Sequence, residues 1–338
     1  MHQFKILFIF IALLSSFLSA AEEEITVYTY SSLTGKGSLT EALKKEWETK
    51  KRKIKFVAFS SSREALNQIF LEKEKTRADV VLGIDQLGIA QAQSSGLFHS
   101  EDLSGYAGNL ATAIPSKLVK EGFIPFDYGY LAFVYDSSKV LGELPANFTD
   151  FVLKNQKAKR LILIDPRTSQ LGLSFLAWTK LIWNDSQWES NMKAIVRGTK
   201  VWAPGWSAAY SLFQKGEGDY VISYTTSPAY HIEEEKKEQF RTLTFKEGHY
   251  LQIETAAITK ASKNVSLARE FLKLLVSRHV QDQIPKLQWM YPVMDNAALL
   301  PSFKKIQKVQ PIPGFMFADE HVQKVWLNSW NELVLSTK

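Results

Sequence analysis

"ADVVLGID", residues 78–85, is the stretch whose reading decides the fold. Its apolar residues run continuously instead of alternating, as they do in a strand whose sheet is covered by helices on both faces. Upstream, "ITVYTY" (25–30) and "KIKFVAFS" (53–60) read as two more strands. The second alternates lysine with apolar residues, as a half-buried strand does. Between the three lie "SLTEALKKEW" (38–47) and "SSREALNQIFLEKEK" (61–75). Each begins with a capping-box pair, Ser38 with Glu41 and Ser61 with Glu64, so each reads as a helix. Leu39, Ala42, Leu43 and Trp47 supply the first helix with an apolar face. A further helix follows Asp85 and stops at Gly96. The order is βαβαβ, which specifies a parallel sheet flanked by helices.

Downstream, a second α/β series follows "FIPFDYGYLAFVYD" (123–136). "RLILID" (160–165) and "DYVISY" (219–224) are strands, and "TSQLGLSFLAWTKLIW" (168–183) and "WSAAYSLFQKG" (206–216) are helices, the latter closed by Gly216. "GHYLQIETAAITK" (248–260) returns as an extended stretch. "LAREFLKLLVS" (267–277) and "EHVQKVWLNSWNELVL" (320–335) are amphipathic helices. The prediction is two α/β lobes joined by two extended crossings, with the first lobe built from both ends of the chain.

The first twenty residues read differently. A basic Lys5, an apolar stretch from Ile6 to Leu14 and small residues at Ser19 and Ala21 form an export signal, cut after Ala21 or, next best, after Ala20. The apolar core is short for a membrane span, and no later segment is long and apolar enough for one. No cysteine occurs, which excludes disulfides, thiolate nucleophiles and cysteine metal sites. The formal charge of +6 is spread along the chain, and "KKRK" (50–53) lacks the interleaved aromatics of a nucleic-acid arm. We therefore expect no nucleic-acid partner.

Ligands of open α/β sheets sit beyond the carboxyl ends of strands, where helices begin. Those junctions here share a chemistry. "FSSSRE" offers Ser60, Ser61 and Ser62, and "DPRTSQ" offers Thr168 and Ser169. "GWSAAY" offers Trp206 and Ser207. "YTTSPAYH" (224–231) ends a strand with Tyr224, Thr225 and Thr226, and starts a helix with Ser227 as N-cap and Pro228 at the first helical position. Capping alone accounts for Ser61, Ser169, Ser207 and Ser227. It does not require Thr225, Thr226 or the aromatic neighbours, so the clustering points to a pocket. Tyr30, Trp206, Tyr224, Tyr230, Trp289 and Tyr291 lie at strand ends or turns and suit a stacking box for a flat or cationic ring. No nucleophile elbow, zinc-protease helix, phosphate loop or dinucleotide fingerprint is present. His231 and His249 read as hydrogen-bonding residues, not catalytic ones. No catalytic residue, metal ligand or cofactor is assigned.

From residue 25 to about 295, "VYTY", "ADVVLGID", "PFDYGYLAFVYD", "DPRTS", "GWSAAYSLFQKGEGD", "SYTTSPAYHIEEEKK", "EGHYLQIE" and "QWMYPV" occur in order. In these the chain resembles the periplasmic thiamine-binding proteins of bacterial thiamine ABC importers. The resemblance implies a two-lobed type II periplasmic binding protein, each lobe a mostly parallel sheet flanked by helices and joined to the other by two hinge crossings. Residues 1–21 would be the signal peptide, 22–127 plus 252–338 the first lobe and 128–251 the second. The hinges would lie near Asp127–Tyr130 and His249–Gln252. Thiamine or its mono- or diphosphate would be held between the lobes of a monomer and delivered to an inner-membrane permease driven by a cytoplasmic ATPase. The resemblance places the ring system against Tyr30, Trp206, Tyr230 and Trp289. It places Ser61, Ser62, Ser169, Gln170, Tyr224, Thr225, Thr226 and Ser227 along the rest of the ligand. Three positions depart from the family pattern. Ser61-Ser62 stands for an acidic residue and glycine, Ser31 for an aspartate and Gln170 for a small hydroxyl residue. Fewer carboxylates favour a phosphorylated ligand, with Arg63 as a candidate helper.

Other ligands fit the residues less well. A ferric site needs closely placed tyrosines with histidine or carboxylate, whereas Tyr224 and Tyr230 stand amid hydroxyls. A polyamine site needs several carboxylates, which these junctions lack. An exported enzyme acting on thiamine-like compounds would need a nucleophile, and no Ser–His–acid set is assignable from the sequence.

Overall fold

A computed structural model describes residues 23–49, 51–314 and 318–337; the leader and its cleavage site lie outside the described residues. Strands β1 (Glu23–Tyr30), β2 (Arg52–Phe59) and β3 (Val80–Asp85) form the parallel ladder of the first lobe, with β1 in the middle. The helices Leu39–Trp47 and Ser62–Glu72 make the crossovers. Both capping serines work as read: Ser38 accepts from Glu41 N at 3.3 Å and Ser61 from Glu64 N at 3.2 Å. β3 is buried along its whole length, and β2, at the edge of the sheet, is only partly covered. The continuous and the alternating hydrophobic patterns thus locate the centre and the rim of one sheet.

β4 (Ile124–Asp136) belongs to both lobes. Its first half pairs antiparallel with β9 (Leu251–Ile258), which in turn lies antiparallel to β3. Its second half, from Leu131, pairs antiparallel with β7 (Tyr220–Tyr224). β5 (Leu161–Ile164) and β6 (Thr199–Ala203) extend β7 as the parallel ladder of the second lobe. The short strands β8 (Phe240–Thr242) and β10 (Tyr291–Pro292) also pair with β4. The sequence reading passed over β6 and the helix before it, Asp185–Gly198.

The changeover between lobes falls at Tyr130–Leu131. Tyr130 faces Leu251 in one pairing and Leu131 faces Tyr224 in the next. Leu131 N donates to Tyr250 O at 2.9 Å, and Tyr130 O accepts from Thr225 N at 2.8 Å. His249 pins this point: one ring nitrogen bonds Leu131 O at 2.7 Å, and the other accepts from Phe245 N at 3.0 Å.

Each lobe has its own apolar core. The first gathers Ile25, Val27, Val80, Ile253 and Phe271; the second is rich in packed rings, with Phe133 and Phe148 each against both Phe151 and Trp178. The last helix, Glu320–Ser336, departs from the sequence assignment of 252–338 to the first lobe. Its Trp326, Trp330 and Leu333 enter the second core, against the helices Gln170–Ile182 and Asp185–Gly198. Its Gln323 still donates to Leu87 O of the first lobe at 2.9 Å. An amphipathic pattern shows that a helix has a face to bury and leaves open which surface receives it.

Candidate functional site

A cavity of about 780 Å³ lies between the lobes. Helices beginning at Ser62, Gln170, Trp206 and Ser227 all contribute first-turn residues to its wall. Helix starts leave backbone N–H groups free and carry a partial positive charge, so this wall suits an anionic or acceptor-rich group. Ser31, Ser32, Ser60, Thr168 and Ser207 add hydroxyls, and Lys36 is the one basic side chain lining the cavity among the described residues.

Aromatic side chains form the other main lining. Trp206 and Tyr210 stack with centroids 5.1 Å apart, and Tyr230 meets Trp289 edge-on at 5.4 Å. Trp206 is oriented by hydrogen bonds, its Nε1–H donating to Ser223 Oγ at 2.8 Å, which in turn meets Ser227 Oγ at 2.7 Å. Behind Tyr210 the ring column continues. Tyr210 OH meets His231 Nε2 at 2.9 Å, His231 Nδ1 meets Glu235 at 2.9 Å, and His231 stacks on Phe240 at 3.9 Å. Burial lowers the His231 pKa. Trp289 holds φ at +57°, a left-handed conformation that costs a bulky residue energy and tends to occur where a side chain is aimed for function.

The crossing strands supply acceptors. Glu254 on β9 and Gln252 beside it line the cavity. Tyr30 OH donates to Glu254 Oε2 at 2.5 Å and accepts from Gln288 Nε2 at 3.1 Å. Tyr30 can lie there because Gly83 has no side chain; a methyl at that position would collide with its ring. Burial lifts the Glu254 carboxyl to about 7 and raises the Tyr30 and Tyr224 phenols well above their usual range, with Glu254 adding to both phenol shifts.

Tyr30, Ser61, Ser62, Ser169, Gln170, Trp206, Tyr224, Ser227, Tyr230 and Trp289 all line the cavity. Thr225 and Thr226 do not. Both are buried behind the wall, where Thr225 N bonds Tyr130 O and the Thr226 hydroxyl lies 4.0 Å from Met290 Sδ. Thr226, not Ser227, occupies the N-cap position, so Ser227 opens its helix and Pro228 comes second. Gly205 takes the cap expected of Ser207. Ser169 caps its helix without a side-chain bond, which leaves its hydroxyl uncommitted to the backbone. Arg63 lies outside this cavity. It faces a space of about 110 Å³ shared with Asn67, Gln91 and Lys324, so it does not serve the hydroxyl-lined wall. Tyr291 stacks on Tyr128 at 5.3 Å instead of lining the cavity. Sequence reasoning missed Glu254, Gln252, Tyr210 and Lys36. The signal for Glu254 was a lone charge inside the strand "QIETAAI".

The family model of bacterial extracellular solute-binding proteins matches residues 30–282. The chain belongs to that family. The thiamine-binding periplasmic protein of Salmonella typhimurium is 42% identical to this solute-binding protein over 93% of the chain and 94% of the relative. The Escherichia coli protein of the same name is 40% identical over the same shares. A solved structure titled periplasmic thiamin binding protein superimposes with a TM-score of 0.83 at 38% identity, covering 92% of this chain and 96% of its own. A ferric binding protein from Campylobacter jejuni shares the fold at a TM-score of 0.71 and 14% identity, over 92% of this chain and 97% of its own.

Proposed function

We propose that this protein is the periplasmic binding component of an ABC importer, capturing thiamine or its mono- or diphosphate between its lobes and handing it to a membrane permease worked by a cytoplasmic ATPase. The observation that carries this reading is that Trp206, Tyr230, Trp289 and the Glu254 carboxyl line one cavity between the lobes. Aromatic faces and a carboxylate suit a flat cation, and the hydroxyls and helix starts suit a phosphate tail. Relatives at 33–42% identity carry thiamine in their names, which supports the same ligand here. The chain would be exported with cleavage near Ala20 or Ala21, act as a monomer, and need no cofactor.

Native mass spectrometry of freshly purified protein tests the reading. The expected result is a co-purified mass equal to thiamine or one of its phosphates; a different small molecule in the cleft would overturn it. Thiamine recovered unchanged after incubation is the outcome expected of a carrier, and a converted product would make the protein an enzyme.

A further inference from the structure

Asp127 and Glu254 are cross-strand partners where β4 and β9 pair. Their relative exposures are 0% and 5%. Among the described residues, no N–H or O–H group reaches either Asp127 oxygen and no lysine or arginine forms an ion pair with either carboxyl. Tyr30 on β1 donates to Glu254, Asp85 on β3 adds a third carboxyl, and Tyr224 on β7 adds a second phenol. Gln252, 3% exposed, lines the cavity with an Oε1 that accepts from no described residue. Two adjacent buried carboxylates without a counter-charge cannot both be ionised cheaply, and one proton shared between them resolves the conflict.

We propose that Glu254 is the subsite for the ligand's positive ring, sharing one proton with Asp127 behind it while the cleft is empty and giving that proton up to solvent when a permanently cationic heteroaromatic ring enters. The inference rests on the reading that this cavity takes thiamine or its phosphates. Charge is conserved at the site: one fixed positive charge arrives and one proton leaves. Tyr30 donates to Glu254 and not to Asp127, so in the empty cleft Glu254 is the ionised member and Asp127 carries the proton that leaves when the ring enters. Burial, followed by the charge of Glu254, raises Asp127 well above the usual carboxylate range, and burial lifts Glu254 to about 7. The exchange therefore falls above the usual carboxylate range.

Calorimetry with thiamine in PIPES and in Tris, two buffers of unequal ionisation enthalpy, reads the exchange directly. At about pH 7 the apparent heats should differ by an amount that reports net proton release. Affinity should fall as pH is lowered from 8 to 6, because protons held by the pair then compete with the ring. Asp127→Asn should abolish the release and flatten the affinity across that range, and Glu254→Gln should weaken binding at least tenfold at pH 8. Tight thiamine binding with equal heats in both buffers and no pH dependence overturns the proposal. Absence of any thiamine binding overturns the assigned function instead, and the pair is then judged in the ligand-free protein. Carbon-13 carboxyl spectra of the ligand-free protein at about pH 8 should show one protonated side chain of the pair, and two ionised carboxylates there would overturn the proposal.

Discussion

The Ser61 hydroxyl donates to the Thr168 carbonyl at 3.0 Å and so joins the first lobe to the second across the cavity rim. The same oxygen accepts from Glu64 N at 3.2 Å, so one side chain both caps a helix and latches the lobes. A second tie, Ser174 Oγ to Asp85 at 3.0 Å, lies close to the crossing strands. Glycine is a tolerable N-cap, costing only a few tenths of a kcal/mol against serine. Ser61→Gly should therefore leave the melting temperature nearly unchanged while the ligand-free protein expands in small-angle scattering. Ligand should compact both proteins as the crossings bend. A variant whose ligand-free radius of gyration matches the parent would show that the hydroxyl does not hold the lobes together.

Trp206→Ala and Tyr230→Ala should each weaken thiamine binding by more than tenfold. A stacking face contributes roughly 0.5–2 kcal/mol, and the buried apolar area of the ring adds to it. Trp206→Phe keeps a face but loses the Nε1–H bond to Ser223, so it should fall between the parent and the alanine variant. Affinities equal to the parent in both alanine variants would place the ligand elsewhere.

How far the sequence reached can be judged residue by residue. The parallel ladder was readable because β3 is apolar throughout and both flanking helices announce their starts with serine caps. β6 was not: "TKVWA" is short, half polar and free of turn residues, so no local period marks it. The aromatic and hydroxyl lining was visible because these residue types collect at strand ends, where a helical or strand core does not need them. Thr225 and Thr226 were drawn into that list by adjacency, yet backbone pairing to Tyr130 turns the segment behind the wall. The Asp127–Glu254 pair was beyond local reading, since a pairing of β4 with β9 over so long a separation creates it. For the same reason the last helix could be predicted while its docking on the second lobe could not.

His249 should make stability depend on pH. Burial lowers its pKa from the ordinary 6.5, and its acceptor nitrogen, bonded to Phe245 N, has no room for a proton. The stability it contributes is complete above 6.5 and lost as pH falls below that value, because the unfolded chain binds the proton first. Asp127 and Glu254 act in the opposite sense: their raised values favour folding at low pH, and that contribution is lost as pH rises, for Glu254 from 4.5 to about 7. The comparison with His249→Asn, which cannot bind a proton, isolates the histidine. The variant should be less stable at about pH 7.5, by roughly 1–3 kcal/mol if its amide fails to satisfy Phe245 N, and the gap should narrow towards pH 5.5. A gap constant with pH in thermal melts would mean that His249 is not held neutral.

Ligand preference should lean towards the phosphorylated vitamin. Ser61 and Ser62 stand where the resembling family carries an acidic residue and glycine, and both line the cavity together with Ser169 and Lys36. Carboxylates there would repel a phosphate, whereas hydroxyls and free helix N–H groups accept it. Calorimetry should show tighter binding of thiamine diphosphate than of thiamine. Lys36→Gln should weaken the diphosphate several-fold, more at low salt than at high, and leave thiamine within about twofold, because an exposed lysine acts as a screened point charge. Ser62→Asp should reverse the order. An aspartate is well tolerated at a helix start, so the fold would survive the change while the new charge repels phosphate and attracts the ring cation. If the parent protein binds unphosphorylated thiamine clearly more tightly, or if Ser62→Asp leaves the order as it was, the hydroxyl cluster does not select the tail.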